Sequence, residues 1–75
     1  MVNNSTVEPA LLTAEQAWTM CNLSKAAWYK HRSAGKIPDA VKIGGALRWR
    51  RAELEDWITA GCPNKARWEK IYGQN

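Results

Sequence analysis

The sequence predicts a mainly α domain with a small β-hairpin wing, and three observations lead there. Two helix starts, at Thr13-Ala14-Glu15-Gln16 and at Ser24, stand close enough that the helices between them must be short and joined by a tight turn. Downstream, Ala40-Val41-Lys42-Ile43 and Ala46-Leu47-Arg48-Trp49 flank Gly44-Gly45, a strong hairpin signal. Between Lys25 and Arg51 the only acid is Asp39, against Lys25, Lys30, Arg32, Lys36, Lys42, Arg48, Arg50 and Arg51. Helix, turn, basic helix and basic ribbon together read as a winged helix-turn-helix.

The chain has 75 residues, enough for one domain near the lower limit at which a single core holds. Phe is absent, and the five tryptophans Trp18, Trp28, Trp49, Trp57 and Trp68 are expected to fill most of the core in its place.

Residues 1–10 are polar, contain Pro9 and lack periodicity, so they read as a flexible tail. The domain proper is expected over 11–62. Thr13 is the expected N-cap of the first helix, with Gln16 completing a capping box and Leu12 stapling onto Ala17. That helix should run to about Cys21, with Ala14, Ala17, Trp18 and Cys21 on one face. Asn22, which tolerates a left-handed backbone, is placed to turn the chain. Ser24 then caps a second helix over roughly Lys25 to Ala34, closed by Gly35.

Pro38 blocks further helix and pushes Ile37 to extended geometry. Alternation in the hairpin suggests Val41, Ile43, Leu47 and Trp49 on the core face, with Lys42, Arg48 and Arg50 outside. Ala52 to Ala60 is expected as a third helix, buried through Leu54, Trp57 and Ile58 and closed by Gly61. Its early acids Glu53, Glu55 and Asp56 suit the helix dipole. Residues 63–75 should hold a short last helix starting at Pro63, with Trp68, Ile71 and Tyr72 as its apolar face.

The run Leu12-Thr13, Gln16-Ala17, Leu23-Ser24-Lys25, Trp28-Tyr29-Lys30, Gly35-Lys36-Ile37-Pro38, Val41-Lys42-Ile43-Gly44-Gly45, Arg48-Trp49-Arg50-Arg51 and Leu54-Glu55-Asp56-Trp57 resembles the excisionase and AlpA-type helix-turn-helix proteins. These are small DNA-binding domains of MerR-like winged-helix topology, common in bacteriophages and mobile elements. The resemblance spans about Leu11 to Pro63. Asn22 stands where the family usually has glycine, and Trp18 where a small residue is typical, so local helix packing should differ. The resemblance implies a role either as an excisionase (a recombination directionality factor) or as a small transcriptional regulator. An integrase or recombinase, or RNA polymerase, would be the protein partner.

In a helix-turn-helix the start of the second helix meets base edges in the major groove. Lys25 and Lys30 are the expected base readers, because lysine donates to guanine O6 and N7. Ser24, Ala26 and Ala27 are small enough for close approach to the groove floor. Tyr29, Arg32, Lys36 and Arg50, with the Ser24 hydroxyl, are expected on phosphates, giving affinity that falls with salt. The wing, through Lys42, Arg48 and the Gly44-Gly45 tip, is expected on the flanking backbone or in the minor groove. So small a domain offers few contacts, so further copies of itself at tandem or paired sites are expected on double-stranded DNA.

Other classes fare less well. His31 is the only histidine, beside Trp28, and reads as packing or a phosphate contact, so no catalytic set, metal site or cofactor is expected. Cys21 and Cys62 lack metal-ligand spacing and read as reduced thiols of a cytoplasmic protein. No apolar run approaches the ~20 residues of a membrane span. RNA binding lacks a stacking platform. The competing reading is a protein-interaction module that uses the Trp-rich C-terminal face.

Overall fold

The computed structural model describes residues 9–72. Along them run β1 (Leu11–Leu12), α1 (Ala14–Met20), α2 (Lys25–Ser33), β2 (Val41–Ile43), β3 (Ala46–Arg50), α3 (Arg51–Thr59) and α4 (Lys65–Tyr72). The strands form one antiparallel sheet in the order β1-β3-β2. Four helices and this small sheet make a winged helix-turn-helix domain. The tail expected over residues 1–10 lies outside the described residues up to position 8. Beyond it, the Ala10 carbonyl accepts the Arg51 amide at 2.9 Å and the Pro9 carbonyl accepts Arg51 Nε at 2.8 Å.

Local chemistry accounts for each helix end. Thr13 Oγ1 accepts the Gln16 amide at 3.1 Å while Gln16 Oε1 accepts the Thr13 amide at 2.9 Å, a complete capping box. At the far end Asn22 adopts φ 58°, with its amide on the Thr19 carbonyl and the Leu23 amide on the Trp18 carbonyl. Those two bonds satisfy carbonyls that the last turn would otherwise leave open. Gly35 closes α2 in the same way at φ 72°, and Gly61 closes α3 at φ 94°. Asn64, not Pro63, caps α4: its side-chain oxygen accepts the Arg67 amide at 2.9 Å, so the helix begins two residues later than Pro63 suggests.

The core consists of Leu12, Ala17, Trp28, Ile37, Trp49, Leu54, Trp57 and Trp68. Four of the five indoles are therefore buried, and Trp18 is half-buried. At about 25 cal/mol per Å2, an indole that buries about 200 Å2 contributes about 5 kcal/mol before entropy is counted. Three of the buried indoles find acceptors for Nε1: the Pro38 carbonyl for Trp49, the Pro63 carbonyl for Trp57 and Glu53 Oε2 for Trp68. Trp28 Nε1 is buried without one among the described residues.

Three further expectations need correction. The first concerns the hairpin faces. The register pairs Val41 with Arg48, Lys42 with Leu47 and Ile43 with Ala46. Opposed residues share a face, so a two-residue turn sets odd positions of β2 beside even positions of β3. Val41 and Ile43 thus lie with Arg48 and Arg50 on the outer face, and Ile43 is 54% exposed. Lys42 and Leu47 lie on the face of Trp49. Second, Leu11 and Leu12 form a strand as well as leading into α1, with Leu12 opposite Trp49. Third, Ile58 and Ile71 are largely exposed, so the apolar faces of α3 and α4 are narrower than their periodicity suggests.

Candidate nucleic-acid interface

The second helix carries no acid, and Trp28 anchors it to the core by an edge-to-face contact with Trp49, centroids 5.3 Å apart. With Trp28 inward, the helical period turns Lys25, Ala26, Tyr29, Lys30 and Ser33 outward, and all five are exposed. Ser24 starts the helix by accepting the Ala27 amide on its hydroxyl oxygen at 3.1 Å. The hydroxyl proton of Ser24 stays available to an external acceptor. Tyr29 meets Trp18 edge to face at 5.9 Å, so the bulky Trp18 braces α1 against the outer side of α2.

Arg32 occupies a different flank. It stands one turn after Trp28, and its guanidinium carbon lies 5.6 Å from the centre of the Trp49 ring. This cation–π contact was not read from the sequence. The only available signal was the i, i+4 spacing of Trp28 and Arg32, which places a cation beside whatever buries Trp28. Lys36 follows the Gly35 turn and is exposed.

The wing splits its charges between two faces. Lys42 points to the Trp49 side, the side on which α2 packs. Arg48 and Arg50 point away. Arg48 Nη1 folds back onto the Leu47 carbonyl at 2.8 Å, and Arg50 Nη1 stands 3.8 Å from Glu53 Oε1. At the tip, Gly44 has φ 59° and Gly45 does not share it, the pattern of a type II′ turn. Both glycines face open space.

Ion pairing sorts the cations further. Arg51 pairs with Glu55 at 3.2 Å, and Lys65 from α4 neutralises Asp39, the one acid of the basic stretch, at 3.1 Å. Lys25, Lys30, Lys36 and Lys42 make no ion pair among the described residues. Within the basic stretch from Lys25 to Arg51, the structure thus places these four lysines on α2, its exit and the near face of the wing. It leaves Arg48 and Arg50 on the other side.

His31 is half-buried and lines a cavity of about 430 Å3 with Met20, Leu23, Ile37, Trp57 and Ile58. Cys21 lines the same cavity. Burial, then the nearby Cys62, pushes its thiol above the ordinary value of 9.0. Among the described residues no group of three or more His, Cys, Asp or Glu side chains can hold a metal ion. No helix there is long and apolar enough to cross a membrane.

No curated protein and no solved structure matches this chain. A family described as "Helix-turn-helix domain" does match, over residues 11–62. That stretch takes in β1, both helices of the motif, the wing and α3. The chain therefore belongs to this helix-turn-helix family of the excisionase and AlpA type, whose domains bind double-stranded DNA.

Proposed function

We propose that the protein reads a specific duplex sequence, with α2 in the major groove and the wing on the flanking backbone or in the minor groove. The single observation that carries this is that Lys25 and Lys30 lie exposed on α2, a helix without an acid, and make no ion pair among the described residues. Lys25 and Lys30 donate to base edges, and Ala26 keeps the helix close to the groove floor. Ser24, Tyr29, Arg32 and Lys36 hold phosphates and fix the register. On the wing, Lys42 and the Gly44-Gly45 tip lie on the side of α2, and Arg48 and Arg50 extend the positive field behind it.

The domain acts either as an excisionase beside an integrase or as a small regulator of transcription, with further copies at tandem or paired sites supplying specificity. It carries out no catalysis in this reading. An interaction module built on C-terminal indoles has less support, because Trp57 and Trp68 lie in the core and that side offers Ile71 instead. The test is selection of duplex fragments from a genomic pool, followed by binding of Lys30→Ala. Enrichment of a common sequence and weaker binding by the variant support the proposal. A pool returned without enrichment removes the claim of sequence specificity.

A further inference from the structure

We propose that Arg32 and Lys42 form one seat for a backbone phosphate on the Trp49 face of the wing, with Trp49 as its positioning residue. This rests on the duplex-binding reading above and names a subsite within it. Three observations converge. The Arg32 guanidinium lies over the Trp49 ring at 5.6 Å, although the residue is exposed and makes no ion pair among the described residues. The hairpin register turns Lys42 onto the face of Trp49, diagonally across the ribbon from it. Such diagonal neighbours are roughly 7–8 Å apart. Lys42, too, has no acidic partner among the described residues.

The chemistry fits a phosphate oxygen pair. A cation–π contact with an indole restricts a guanidinium and leaves N–H groups free to donate two parallel bonds. An ammonium on the same face adds a point charge. The only acid of the basic stretch, Asp39, is already paired with Lys65. With α2 in the major groove and the wing on the flanking backbone, the strand that separates the two grooves would pass over this face. A free phosphate ion has the same chemistry, but continuity with the lysine strip of α2 favours the backbone.

The experiment measures duplex binding for wild type, Arg32→Lys, Arg32→Gln, Lys42→Gln, the Arg32→Gln/Lys42→Gln double variant and Arg67→Gln. The last removes the same charge from exposed α4. Circular dichroism and melting check that each variant folds. Loss of a charge-assisted bond weakens binding on the order of tenfold. Arg32→Lys is expected to lose nearly as much as Arg32→Gln, because lysine cannot stack and fork. The double variant should lose less than the product of the two singles, because both act on one phosphate. Arg67→Gln should change little.

Wild-type affinity for Arg32→Lys would overturn the role of Trp49. Multiplicative losses would assign two separate phosphates, and a Lys42→Gln loss no larger than that of Arg67→Gln would remove Lys42. Stronger displacement by potassium phosphate than by potassium chloride of equal ionic strength would make the seat a site for the free anion. All four outcomes leave duplex binding standing. Absence of wild-type binding at low salt would instead remove the reading on which the seat depends.

Discussion

Trp28 and Trp49 meet edge to face, ring planes 76° apart, and this contact joins the second helix of the motif to the wing. The two indoles differ in one respect. Trp49 Nε1 donates to the Pro38 carbonyl at 3.0 Å, whereas Trp28 Nε1 is buried without an acceptor among the described residues. Replacing Trp49 with Phe therefore loses a hydrogen bond and leaves a buried carbonyl short of a partner. Replacing Trp28 with Phe removes an unsatisfied donor. Both substitutions leave space behind, but Trp49→Phe should be the more destabilising by about 1 kcal/mol. Urea unfolding of the two variants checks the order, and a reversed order would mean that Trp28 Nε1 is satisfied in the folded protein.

Asn22 at φ 58° sets the turn between α1 and α2. A side chain with a Cβ in that region costs about 1–2 kcal/mol unless it bonds locally, as Asn can. Asn22→Ala is expected to lose about 1 kcal/mol of stability, and Asn22→Gly to match wild type or exceed it. Thermal melts of the three proteins test this; an Asn22→Ala protein as stable as wild type would remove the strain argument.

Ser24 stabilises α2 by capping it, so Ser24→Ala should cost about 1 kcal/mol. Ser24→Asp should keep the cap and suit the helix dipole, yet it places a carboxylate where a phosphate is proposed to sit. The prediction is a protein as stable as wild type with weaker duplex binding, measured by melting and by titration. Undiminished binding by Ser24→Asp would move the phosphate away from the start of α2.

Cys21 makes a pH prediction. Its folded pKa is raised, chiefly by burial, so the neutral thiol is the form the fold favours. That contribution is fully present below the unfolded value and is lost as pH rises through the raised folded value. Stability should therefore fall as pH rises above about 9, and Cys21→Ala should flatten that fall. In the same protein Cys62, which is exposed, should react with a thiol reagent at neutral pH before Cys21 does.

Much of the fold was legible because its signals are local. The Thr13–Gln16 box, the Ser24 cap, Asn22, Gly35, Gly61 and the Gly44-Gly45 turn each act within a few residues of themselves, and a linear reading finds them. β1 escaped because two residues carry no periodicity, and its partner Arg50 lies far along the chain. The hairpin faces were misread for another reason. Alternation was followed along each strand separately, and the parity imposed by a two-residue turn was not applied across them. The candidate site was affected accordingly. The basic helix could be read from charge and capping, but the separation of Lys42 from Arg48 and Arg50 depends on register. The hold of Trp49 on Arg32 depends on packing between elements that sequence alone does not juxtapose.

Neutralisation of DNA phosphates by the cations of α2 and the near face of the wing is what the proposed binding mode requires. Its most direct test is the salt dependence of binding to a selected duplex. Each neutralised phosphate contributes about −0.9 to the slope of log affinity against log salt. Three or four contacts from Arg32, Lys36, Lys42 and the start of α2 predict a slope of roughly −3 to −4. Lys36→Ala should reduce its magnitude by about one. A flat salt dependence, or no affinity for duplex at low salt, would contradict the account.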